Sequence, residues 1–147
     1  MTTETYRLDE MICFALHSAS RAFDAVYRSV LKDLGLTYPQ YLVMLVLWEH
    51  GELPVKRIAE QMRLDTGTIS PLLKRLEAAG LVRRDRSAED ERSVTVRPTE
   101  AGLDLRERAV AVPHRIAEAT GLELADVTEL RERLQRLTAI LSAADLP

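Results

Sequence analysis

The chain has 147 residues, 46% hydrophobic and 29% charged, enough to bury a real core in an ordinary globular protein. Its net charge of −3 argues against a uniformly basic binder, and its single cysteine excludes an internal disulfide and a cysteine-built zinc site. The longest apolar run, Leu42 to Trp48, is too short for a bilayer, and Glu4, Arg7, Asp9 and Glu10 interrupt any secretory leader, so no membrane partner and a reducing cytoplasm are expected.

In chain order, Leu8, Ile12, Ala15, Leu16, Ala19, Phe23, Val26 and Val30 recur at three- and four-residue steps and predict an amphipathic first helix. Asp9 is a candidate cap for it, which places Cys13 about one turn inside. Leu34 to Thr37 ends this segment, and Pro39 opens a second helix that runs to His50. Leu42 to Leu47 make that helix apolar almost all round, the mark of a buried core helix, and Gly51 ends it. A short helix from Pro54 to Met62, a turn at Leu64 to Gly67, and a helix from Thr66 or Thr68 to Ala79 form a helix-turn-helix pattern. Past Gly80 the period changes to that of strands. Leu81 to Arg86 and Arg92 to Arg97 flank the polar turn Ser87 to Glu91 as a β-hairpin. Leu103, Leu105, Ala109, Val112 and Ile116 then make another helical stripe, with a kink expected at Pro113. After Thr120 and Gly121, a last stripe follows: Leu124, Val127, Leu130, Leu134, Leu137 and Leu141. The expected fold is mainly α with a small β-hairpin wing, a winged helix-turn-helix in one domain spanning 1–147. Residues 54–98 form the reading module. The apolar terminal helices, 8–34 and 99–143, exceed what that module can cover and imply a homodimer.

Charge is distributed unevenly. Residues 54–97 hold ten basic and seven acidic residues, whereas the rest of the chain holds ten basic and sixteen acidic. A basic middle between acidic flanks fits a double-stranded DNA surface mounted on a scaffold. Thr66, Thr68, Ser70, Lys74 and Arg75 are the polar positions of the second helix of the pair, and its first turn would approach base edges. In the wing, Arg84, Arg86 and Arg92 are the candidate DNA contacts. Arg92 is expected in a minor groove, and Asp90 braces the turn. A merely solvated helix face and a salt-bridged hairpin account for the same residue types. A dimer with two such helices calls for an inverted-repeat operator with half-sites roughly 34 Å apart.

This order of elements resembles the MarR family, and Asp90-Glu91-Arg92-Ser93-Val94 resembles that family's wing motif. The segments Leu36-Thr37-Tyr38-Pro39-Gln40-Tyr41, Leu47-Trp48-Glu49, Leu64-Asp65-Thr66-Gly67-Thr68 and Lys74-Arg75-Leu76-Glu77, with Cys13-Phe14, are similar to the organic hydroperoxide resistance regulators within it. The likeness runs from about Leu8 to Leu141. It implies a repressor that releases DNA when an organic hydroperoxide oxidises Cys13. Tyr27 and Tyr38 would hydrogen-bond the sensor, with Phe14 and His17 in the same pocket. His17 stands where tyrosine can occur, and Pro98 replaces an apolar residue after the second wing strand. Because no second cysteine is present, the resemblance implies the one-cysteine type, in which a low-molecular-weight thiol caps the oxidised sulfur. No cofactor or metal is implied, since the three histidines are scattered.

Two other readings of the same residues stay open. One is a MarR-type repressor responding to a small phenolic ligand, with Cys13 a structural residue of an apolar helix. The other is a one-cysteine thiol peroxidase, for which a basic winged segment serves no purpose.

Overall fold

The computed structural model describes residues 6–86 and 92–146, so the expected wing turn and its brace Asp90 lie outside the described residues. The chain divides into two compact units after Val110, each described in its own terms.

In the first unit a 3-10 turn, Leu8–Glu10, precedes helix α1, Ile12–Val30. Asp9 does not cap α1. Its carboxylate pairs with Arg7 at 3.1 Å, and Met11 occupies the N-cap with no side-chain bond. The helix therefore begins later than expected, and Cys13 is its second residue. Helix α2, Tyr38–His50, starts in a capping box: Gln40 N–H donates to Thr37 Oγ1 and Thr37 N–H donates to Gln40 Oε1. Pro39 sits in that first turn, where its missing N–H costs nothing. Tyr41, Val43, Met44, Leu47 and Trp48 of α2 are buried.

Helices α3, Val55–Met62, and α4, Thr66–Ala78, form the helix-turn-helix. Between them Arg63 adopts the left-handed conformation (φ 56°), the only non-glycine to do so among the described residues, and Leu64 N–H reaches back to Ala59 O at 3.0 Å. Strands β1, Leu53–Pro54, β2, Val82–Arg86, and β3, Val94–Pro98, pair antiparallel in the order β1-β3-β2. The expected hairpin is thus the larger part of a three-stranded sheet. Pro54 is tolerated because β1 is an edge strand, and Pro98 closes β3 opposite Val82.

Helix α2 packs against α3, α4 and β3. At this junction Val43, Met44, Leu47, Ile58, Ile69, Leu73, Leu76, Val82 and Val96 are essentially inaccessible to solvent. Each such side chain stabilises the fold by about 1.5–3 kcal/mol through burial alone. Helix α5, Glu100–Ala109, is fixed to this core at its start: Thr99 Oγ1 accepts from Gly102 N–H and donates to Gly80 O at 2.6 Å. Trp48 Nε1 donates to Gly102 O at 2.9 Å. Gly102 has no alternative, because a Cβ there would collide with the Leu81 carbonyl oxygen.

The second unit holds α6, Val112–Thr120, and α7, Leu124–Ala143. At the kink expected near Pro113 the hydrogen-bonded helix is interrupted, although Val110 and Ala111 keep right-handed helical backbone angles. The helix ends at Ala109, and Pro113 occupies the first turn of α6, the one place where its ring and absent donor fit. Val112 and Ile116 are buried, but α7 buries no residue, and α1 buries only Val30. The apolar stripes of the terminal helices stand in solvent, with Ile12 67% and Leu141 63% exposed, and Leu103 of α5 half exposed. No helix among the described residues is long and apolar enough to cross a membrane.

Candidate nucleic-acid interface and cysteine site

Helix α4 is presented by its own cap. Asp65 Oδ1 accepts from Thr68 N–H at 2.7 Å and from Thr68 Oγ1 at 2.9 Å, which holds the Asp65 carboxyl below its usual range. The hydrogen bond from the Thr68 hydroxyl is the first cause of that shift. Ile69, Leu73 and Leu76 anchor the helix in the core, leaving Thr66, Thr68, Lys74 and Arg75 exposed and Ser70 half-buried. The hydroxyl protons of Thr68 and Ser70 are already committed, the latter to Thr66 O at 2.9 Å. Both oxygens can therefore accept from a ligand more readily than donate to it.

A cleft of about 470 Å³ opens where α3, α4 and the sheet meet, lined by Val55, Lys56, Thr66, Ser70, Leu73, Arg84, Arg92, Ser93 and Val94. Lys56, absent from the residues singled out in the sequence, adds a cation at the start of α3; its place at the head of a helix facing the wing was the available signal. Arg86 is exposed at the end of β2, and Arg92 is exposed where the described chain resumes. Arg84 differs from the sequence expectation: its guanidinium is paired with Glu77 of α4 at 2.9 Å and is only 28% exposed.

The cysteine region is split between the two ends of α1. Cys13, Phe14 and His17 lie on its first turns and are exposed, with Cys13 and His17 four residues apart on one face. Tyr27 lies near the other end and stacks on Tyr38 of α2, ring centroids 4.4 Å apart. Tyr41 joins them at 6.0 Å from Tyr27 and touches Trp48 edge-on. Burial, then the neighbouring Tyr38 and Tyr41, pushes the Tyr27 phenol up to about 12. Burial and then Asp24 raise Tyr38, while burial and then Tyr38 raise Tyr41. All three phenols thus keep their protons at neutral pH and remain hydrogen-bond donors. A second cleft, of about 360 Å³, lies beside Tyr38 and is lined by Asp24, Arg28, Leu36, Thr37, Tyr38 and Pro39. Tyr41 and Asp24 were not singled out in the sequence; Tyr41 follows Tyr38 by three residues, a helical spacing that could have paired them.

A capped recognition helix beside a basic antiparallel sheet defines a winged-helix DNA-binding protein. Residues 25–108 match the family described as transcriptional regulator SarA/Rot. The chain is 44% identical to the organic hydroperoxide resistance transcriptional regulator of Bacillus subtilis, over 92% of both chains. It is 46% identical to the regulator TtmR of Methylorubrum extorquens, over 92% of this chain and 70% of TtmR. Reduced AbfR of Staphylococcus epidermidis, solved bound to DNA, superposes with a TM-score of 0.76 at 33% identity, over 94% of this chain and 97% of AbfR. AbfR has also been solved overoxidised on DNA and in a disulfide form. This chain belongs to the MarR family of winged-helix transcriptional regulators, on the branch that includes the organic hydroperoxide regulators.

Proposed function

We propose that the protein is a homodimeric repressor that binds an inverted-repeat operator and releases it when an organic hydroperoxide oxidises Cys13. The observation that carries this reading is the division of the cysteine region. Cys13 and Tyr27 are fourteen residues apart on one unbroken helix, roughly 21 Å along its axis. No hydrogen bond can join them within one chain. In this reading Tyr27 and Tyr38 serve the Cys13 of a second copy, with the exposed stripes of 8–34 and 99–143 as the dimer interface. Two protonated phenols then donate to one thiolate and tie the subunits together.

The chemistry follows from those donors. The Cys13 thiolate attacks the distal peroxide oxygen. The O–O bond breaks, the sulfur becomes a sulfenic acid, and the alkoxide leaves as an alcohol after taking a proton. A small thiol then displaces water from the sulfenic acid and leaves a mixed disulfide. The added bulk replaces the phenol hydrogen bonds at the interface, the subunits re-pack, and the recognition helices lose their spacing. That AbfR in its overoxidised form is found on DNA favours capping, rather than added oxygen, as the releasing step. Within each half-site, Thr66, Thr68, Ser70, Lys74 and Arg75 read the major groove and its phosphates, while Arg86 and Arg92 extend to the flanking minor groove.

The test is DNA binding before and after one equivalent of cumene hydroperoxide with a small thiol present. Wild type should release DNA, whereas Cys13→Ser should bind and not release. Tyr27→Phe and Tyr38→Phe should bind normally and oxidise more slowly. Release by Cys13→Ser would overturn the sensor. Release by a phenolic compound without oxidation would favour the ligand-responsive alternative.

A further inference from the structure

Arg84 and Arg86 stand two residues apart on β2 and so share one side of the sheet, but their surroundings differ. Arg84 Nε and Nη2 both donate to Glu77 Oε1, at 3.2 and 2.9 Å, and Arg84 backbone N–H donates to Glu77 Oε2 at 3.0 Å. One carboxylate in the last turn of α4 thus takes three hydrogen bonds from a single wing residue, two of them from a guanidinium whose fork suits a carboxylate. Arg86 forms no ion pair with any described residue. Glu77 lies outside every role assigned above, on the helix that reads DNA, where an acidic side chain is electrostatically out of place.

We propose that Glu77 is the positioning residue of the wing: through Arg84 it locks β2 to α4, so that recognition helix and wing meet DNA as one rigid piece. Arg84 is then consumed by the lock and is not a DNA ligand. The inference rests on the DNA-binding reading and is independent of the redox one. The contact geometry supports it further, because the bond to the Arg84 backbone N–H fixes the strand itself as well as its side chain. Helix and strand cannot separate at this point without stripping one acceptor of three donors.

The two accounts of these residues predict opposite signs. If Arg84 were a phosphate ligand restrained by Glu77, removing the carboxylate would cut repulsion, free the arginine and tighten DNA binding with a steeper salt dependence. If Glu77 is the lock, removing it loosens the wing and weakens binding despite the more favourable charge. The probe is a duplex selected with the wild-type protein from a random-sequence pool, read by fluorescence anisotropy at fixed salt. Glu77→Gln and Arg84→Gln should each weaken binding roughly threefold to tenfold, and the double variant should be no weaker than the weaker single, since both break one coupling. The charge-swapped pair Glu77→Arg with Arg84→Glu should recover only the side-chain part of the loss, because an arginine at 77 cannot accept from the backbone N–H of residue 84. Hydroxyl-radical footprints of the single variants should lose protection at the flanks, under the wing, and keep it under α4. Thermal unfolding of each variant checks that it is folded. Tighter binding by Glu77→Gln, or losses that add in the double variant, would overturn the lock. A wild type that selects no duplex would instead remove the DNA-binding reading, and the lock with it.

Discussion

Helices α2 and α7 are both rich in leucine, and they have opposite fates. α2 has 13 residues and buries five of them; α7 has 20 and buries none. The difference lies in where the partner is. α2 is apolar on every side and is surrounded by α3, α4 and β3 of its own chain. α7 carries one stripe that is only partly covered among the described residues: Val127 and Leu137 are half-buried, while Leu124, Leu130, Leu134 and Leu141 stay exposed, so much of its hydrophobic driving force is unspent. One helix holds the fold, and in the proposed dimer the other is left for assembly.

The same substitution in the two helices should separate these roles. Leu47→Ala in α2 should cost about 2–5 kcal/mol, read by urea unfolding and independent of protein concentration. Leu130→Ala with Leu134→Ala in α7 should instead weaken dimerisation by about 1–3 kcal/mol per side chain, read by sedimentation equilibrium. Its unfolding midpoint should shift only as concentration is lowered. A shift at every concentration would mean that α7 packs within its own chain. Thr37→Ala, which breaks the capping box of α2, should cost about 1 kcal/mol. The smallest effect is alkaline. Tyr27 titrates at about 12 in the fold and near its usual value of 10 once unfolded. The unfolded chain therefore loses that proton first. Stability contributed by the neutral phenol is complete below pH 10 and disappears as pH rises toward 12. Tyr27→Phe should flatten that part of the profile in a pH series of unfolding curves.

Much of this was legible in the residues, for identifiable reasons. Periodic stripes found α1, α3 and α7, and an all-round apolar run found α2, but α5 and α6 read as one kinked helix; Gly51, Gly80 and Gly121 each stand at positive φ just past a helix end expected from the sequence. Where reading failed, a local competitor intervened. Asp9 had the chemistry of a cap, but Arg7 two residues earlier took its carboxylate. Strand β1 is two residues long and contains a proline, so it carries neither alternation nor strand propensity; only pairing with Val96 and Thr95 makes it a strand. Among the wing arginines composition cannot distinguish Arg84 from Arg86, because the partner that separates them, Glu77, is supplied by tertiary structure. The tyrosine cluster was half visible: Tyr27 and Tyr38 came from a resemblance, and their stacking with Tyr41 needed α1 and α2 to be placed side by side.

The length of α1 also has a genetic meaning. In the proposed dimer the sulfur comes from one chain and the phenols from the other, so the sensor is never the property of a single polypeptide. In a cell carrying two alleles, one Cys13→Ser and one Tyr27→Phe, the mixed dimer combines both defects in one of its two sites. The other site receives an intact cysteine from the second allele and an intact tyrosine from the first. Mixed dimers from such a cell should therefore oxidise one of their two cysteines at the wild-type rate, which neither homodimer does. Dimers mixed from two cysteine alleles should not.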